Sequence, residues 1–101
     1  MTLKQLNYFL ALAKVGGYKE AAGACGITQS TLSLMIQRLE EDLGVTLFDR
    51  GHNPVRPTRI GLRLESHARA IVRNATQMRA LAQKYKEDST QLENEEFAST
   101  P

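Results

Sequence analysis

A chain of 101 residues has room for one small domain with a modest core, which excludes multi-domain enzyme architectures. Apolar residues make up 42% and charged residues 24%, an ordinary soluble composition, and no apolar run approaches the roughly eighteen residues of a membrane-crossing helix. The net charge of +2 hides an asymmetry, because residues 1–87 hold all 13 lysines and arginines against 7 acids while the last 14 residues hold four acids and no base. A basic body of this kind attracts polyanions, and the acidic tail is expected to be solvated and loosely ordered.

Thr2 stands three residues before Gln5, the spacing that lets each side chain satisfy the other's free backbone N–H at a helix start. Leu3, Leu6, Phe9, Leu10 and Ala13 then recur at steps of three and four until Gly16-Gly17, which predicts a helix over Leu3–Val15. The Ala-rich stretch Tyr18–Cys25, followed by Gly26, predicts a short second helix. Thr28 can cap a third, along which Leu32, Ile36, Leu39 and Leu43 mark a buried stripe before Gly44. The period then changes. Val45-Thr46-Leu47-Phe48 has strand character, Gly51-His52-Asn53-Pro54 is turn chemistry, and Val55-Arg56-Pro57 can return as a second short strand. Thr58 can cap a last helix that is expected to end near Lys86, longer than a small core requires.

Two helices joined by a short turn containing Gly26 make a helix-turn-helix, the unit that sets its second helix into the DNA major groove. The expected fold is mainly α. Residues 1–58 form a winged helix-turn-helix of three helices and a two-stranded wing, residues 59–87 a long dimerisation helix, and residues 88–101 the acidic tail. With the buried stripe turned inward, the outer face of the third helix carries Ser30, Ser33, Leu34 and Gln37, with Gln29 at its start and Thr28, Thr31 and Arg38 beside them. Glutamine can bond adenine through two hydrogen bonds, serine donates or accepts, and an exposed aliphatic group can meet a thymine methyl. Glu40, Glu41 and Asp42 are confined to the far end of the helix. Arg50 and Arg56 flank the tip of the wing, where they suit the phosphate backbone or the minor groove and position the protein without reading sequence. Leu34 and Met35 also leave room for a protein partner in place of DNA.

Along the last helix Leu64, Ala68, Ile71, Ala75, Met78, Ala82 and Tyr85 alternate steps of four and three, a seam of large residues interleaved with alanines. The seam predicts an antiparallel homodimer. Its first members, Leu64 and Ala68, can equally pack on the domain's own core, but three short helices cannot reach along a helix of about 40 Å. Cys25 is the lone cysteine and suits a small buried hydrophobe better than a redox site. His52 and His67 have no metal-ligand spacing, and neither a phosphate-binding glycine loop nor a hydrolase nucleophile motif occurs, so no metal, cofactor or enzymatic activity is expected. The N-terminus lacks the layout of a secretory signal, which points to the cytoplasm.

These residues resemble the LysR-type transcriptional regulators over about residues 1–65. The resemblance is carried by Leu3-x-x-Leu6-x-Tyr8-Phe9, Ala21-Ala22, Ile27-Thr28-Gln29-Ser30-Thr31-Leu32-Ser33-x-x-Ile36-x-x-Leu39-Glu40-x-x-Leu43-Gly44-Val45-x-Leu47-Phe48-x-Arg50, and Thr58 with Gly61. It implies a winged helix-turn-helix, a dimerising linker helix, a dimer of dimers in the full-length context, and a C-terminal sensor domain that this sequence does not include. By the same resemblance Gln29, Ser30, Ser33 and Arg50 fall on positions that touch DNA. The chain departs from the family pattern at Ser30, where proline is common, at Leu34-Met35, where a polar or basic pair is usual, and at Pro57, where leucine is typical. The variants around Gln29–Ser33 and Phe48–Arg50 look nearest to the peroxide-sensing branch.

Overall fold

The computed structural model describes the backbone of residues 1–99 and the side chains of residues 1–90. Helix α1 (Leu3–Val15) begins with the expected reciprocal cap: Thr2 Oγ1 accepts from the Gln5 N–H at 3.1 Å and Gln5 Oε1 accepts from the Thr2 N–H at 3.0 Å. It stops at Gly16, whose φ of +74° is left-handed. Leu6, Phe9 and Leu12 are its buried residues, whereas Leu10 and Ala13 of the expected face are only half-buried. Leu12, three residues after Phe9 but not counted in the expected face, is fully enclosed.

Helix α2 (Tyr18–Cys25) ends at Gly26, and the Ile27 N–H closes the turn onto the Ala22 carbonyl at 3.0 Å. Buried Ala21 and Ala22 give α2 a flat face toward its neighbours. Helix α3 (Gln29–Leu43) is capped by Thr28 and buries Leu32, Ile36 and Leu39 completely. Leu43, expected to extend that stripe, is instead exposed, because it sits at the last turn of α3 on the rim of a hollow shared with α1 and the final helix. The core between these helices is sealed by Leu47 and Phe48, and the Phe48 ring meets Phe9 edge-on at 5.5 Å.

The wing pairs β1 (Phe48–Asp49) with β2 (Arg56–Pro57) antiparallel, Phe48 opposite Pro57 and Asp49 opposite Arg56. It is shorter than Val45–Phe48 and Val55–Pro57 suggest, because the flanking backbone groups find other partners. The Val45 N–H bonds to the Glu40 carbonyl, the Leu47 carbonyl accepts from the Thr58 N–H at 2.8 Å, and the Val55 N–H bonds to the Gly16 carbonyl at 2.7 Å.

Helix α4 (Arg59–Ser99) follows at once. The Thr58 hydroxyl accepts from the Gly61 N–H at 3.0 Å and donates to the Thr46 carbonyl at 2.6 Å, so one side chain both starts the helix and ties it to the base of the wing. Gly61 is required here, since a Cβ at that position would lie 2.2 Å from the Leu47 carbonyl oxygen. The helix does not stop near Lys86, and residues 88–99 are helical rather than a loosely ordered tail. Neither glycine nor proline occurs between Leu62 and Ser99, and Glu, Gln, Lys and Ala are good helix formers. Residues 100 and 101 of the expected tail lie outside the described residues. At 41 residues α4 is about 60 Å long, and only its first turns, through Leu64, Ala68 and Val72, reach the core.

Candidate nucleic-acid interface

The helix-turn-helix is built as α2, the Gly26-Ile27-Thr28 turn and α3. Ile27 is half-buried and Leu32 is enclosed, so the stripe of α3 is spent inward and its other face must point outward. That face brings together Gln29, Ser30, Thr31, Ser33, Leu34, Gln37 and Arg38, all exposed and free of acidic side chains. Thr28 and Thr31 have a second duty. Thr28 Oγ1 accepts from the Thr31 N–H at 3.1 Å and donates to Thr31 Oγ1 at 2.8 Å, which holds the first turn of α3 in shape. The unpaired N–H groups and positive dipole end of that turn favour an anion such as phosphate. Met35 is half-buried, so Leu34 is the exposed aliphatic residue of the pair.

The two wing arginines are not equivalent. Arg56 on β2 is exposed and has no ion pair among the described residues. Arg50 is engaged from two sides: its Nη2 lies 2.9 Å from Glu40 Oε1 and its Nη1 3.4 Å from Oε2, while the guanidinium stands 6.0 Å from the centre of the Tyr18 ring. The hydrogen bond to Glu40 holds the Arg50 pKa above its ordinary value, and partial burial works against it. The guanidinium stays charged, and 42% of the side chain remains accessible. Arg50 and Arg56 then share an open cleft of about 670 Å³ with His52 and Arg59 at the base of α4.

Glu40 is the residue of this surface that periodicity alone passes over. Its Oε2 also accepts from the backbone N–H of Leu47 at 2.6 Å and of Phe48 at 3.4 Å, so one carboxylate joins α3, β1 and Arg50. The signal for it was present, because Glu40 lies four residues after Ile36 and next to Leu39, on the inward side of α3, whereas Glu41 and Asp42 lie outside. Among the other expected residues, Cys25 is half-buried at the end of α2, His52 sits beside Asp49 in the wing, and His67 lies on α4.

Along α4 the expected seam divides. Ala68 is buried in the core and Leu64 is partly buried against it, so both are used within the chain. Ile71 is exposed, and farther along Met78, Leu81 and Tyr85 are 75%, 69% and 73% exposed. Leu81, absent from the strict four-and-three series, stands three residues from Met78 and four from Tyr85 and widens the same face.

The model of bacterial regulatory helix-turn-helix proteins of the lysR family matches residues 3–62. The chain belongs to the LysR family. A hydrogen peroxide-inducible genes activator of Pectobacterium carotovorum subsp. carotovorum is 37% identical over 82 residues, 81% of this chain and 27% of that protein. The HTH-type transcriptional regulator BenM of Acinetobacter baylyi is 38% identical over 78 residues, 77% of this chain and 26% of its own. This LysR-family chain therefore spans about a quarter of the length of the curated relatives it matches. A crystal structure of the BenM DNA-binding domain with benA site 1 DNA superposes with a TM-score of 0.82 at 35% identity, covering 85% of this chain and 97% of that one. The LysR model thus spans α1 to the first turn of α4, and the structural match reaches into the long helix.

Proposed function

We propose that this chain is the DNA-binding and pairing part of a transcription regulator, a homodimer that recognises an inverted repeat in double-stranded DNA. The observation that carries the reading is the outer face of α3, polar, uncharged by acids and beginning at a helix N-terminus, on a fold similar to a DNA-bound relative. In this reading Gln29, Ser30, Ser33, Leu34 and Gln37 meet base edges, Thr28, Thr31 and Arg38 fix the helix against the backbone, and Arg50 and Arg56 hold the wing on phosphate or in the minor groove. The activity is binding without a catalytic step, and its place is the cytoplasm, on the nucleoid. A relationship to the peroxide-responsive relatives is part of the same reading.

Pairing uses the free part of the seam, Ile71, Ala75, Met78, Ala82 and Tyr85, with Leu81 added. An antiparallel pair with its two-fold axis near Ala75 lays the partner's Leu81 and Tyr85 over the hollow between α1, the end of α3 and α4, which Met1, Leu6, Leu43, Leu64 and Ile71 line. A helix with this much exposed apolar surface and no tertiary partner gains most of its stability from such a contact. The test is titration of a mixed-sequence duplex of about three helical turns, long enough for two half-sites, at two salt concentrations. Binding that weakens steeply with salt is expected, because several phosphate contacts release counterions, and the absence of binding at low salt overturns the reading.

A further inference from the structure

An acid in a DNA-binding module opposes a polyanion, so bare electrostatics predicts that neutralising Glu40 tightens binding. The contacts of Glu40 argue the reverse. Its side chain is only 12% exposed, and its two oxygens are occupied by the Leu47 and Phe48 N–H groups and by both terminal nitrogens of Arg50. A guanidinium carries five N–H donors in a planar fork, and the pair with Glu40 uses two of them, leaving three with fixed directions. The Tyr18 ring 6.0 Å away limits the swing of the same group. An arginine held in this way presents its remaining donors without the rotamer entropy that a free arginine loses on binding.

We propose that Glu40 is a positioning residue for DNA binding: its carboxylate locks Arg50 and the first strand of the wing to helix α3, so that removing this negative charge weakens the complex. The inference rests on the DNA-binding reading above and adds a residue to it. Glu40→Gln separates the roles of the carboxylate, because the amide oxygen still accepts from the Leu47 and Phe48 N–H groups while the ionic hold on Arg50 is lost. Glu41 is the control, since it is exposed one residue further on and has no ion pair among the described residues.

The experiment measures the dissociation constant of the whole chain on a mixed-sequence duplex as a function of NaCl for Glu40→Gln, Arg50→Ala, the double variant and Glu41→Gln, with circular dichroism confirming the fold of each. Glu40→Gln is expected to bind several-fold more weakly than the unsubstituted chain, and its log–log salt slope to fall by about 0.9, the loss of one phosphate contact. The double variant should bind no more weakly than Arg50→Ala, because the two residues act as one unit, and Glu41→Gln should bind slightly more tightly. A merely structural role for Glu40 lowers stability but leaves the slope intact. Glu40→Gln that is folded and binds as tightly as the unsubstituted chain, with a full salt slope, overturns the proposal and leaves the DNA-binding reading standing. No binding by the unsubstituted chain at low salt overturns both. Should Glu40→Gln fail to fold, NMR of the unsubstituted chain decides: slow guanidinium rotation with separate Nη signals for Arg50 supports the lock, and one averaged signal contradicts it.

Discussion

Single residues set the geometry of this domain where backbone and side chain compete for the same space. Gly61 lets the first turn of α4 lie against the Leu47 carbonyl, 2.2 Å from where a Cβ would stand. Gly61→Ala is therefore expected to cost about 1–3 kcal/mol in urea denaturation at fixed protein concentration, as overpacking does. Thr28→Ala removes the cap of α3 and should cost about 1 kcal/mol, with the loss centred on the helix start in amide exchange. On DNA the residues divide by role: Arg56→Ala should weaken binding to every duplex and lower the salt slope, whereas Gln29→Ala should narrow the difference between preferred and random duplexes. Equal losses on all duplexes for both would overturn that division. The outward-facing set on α3 was legible in the sequence, because once Leu32, Ile36 and Leu39 turn inward the rest of the helix has one place to go. The bond between Glu40 and Arg50 was not, since it joins residues ten apart through a carboxylate that reads, by composition alone, as part of a solvated acidic run.

At the scale of elements, the starts and stops of α1, α2 and α3 follow from caps and glycines, which act locally and can be read from a few neighbouring letters. The wing was harder. Its strand residues lend their hydrogen bonds to Glu40, Gly16 and Thr58, partners set by tertiary packing and hidden from a pattern of alternation. The far end of α4 was misjudged for a different reason: acidity marks solvation, but with no glycine or proline to interrupt it an acidic segment continues a helix that has already begun. The exposed apolar residues Ile71, Met78, Leu81 and Tyr85 are the surface proposed for pairing. Ala75→Glu places a charge near the proposed two-fold axis, and sedimentation at micromolar concentration should show its mass fall from a dimer to a monomer with helix content reduced. A dimer unaffected by that change would place the pairing surface elsewhere.

The whole molecule is a compact head and a long arm. Its extent of 73 Å along the longest axis against 25 Å and 19 Å across follows from α4 leaving the core after Val72. In the proposed reading the head meets DNA and the arm pairs two heads, which makes a two-fold object suited to a two-fold site. The head and its class were legible because the string from Ile27 to Arg50 is specific, while the arm's true length and the residues it shares with the core needed the fold. Selection from a randomised duplex pool tests the central claim most directly. Recovered sequences should hold an inverted repeat with half-site centres about one helical turn, 10–10.5 base pairs, or a multiple of it apart. A pool that stays random, or that enriches a site without dyad symmetry, would contradict the account.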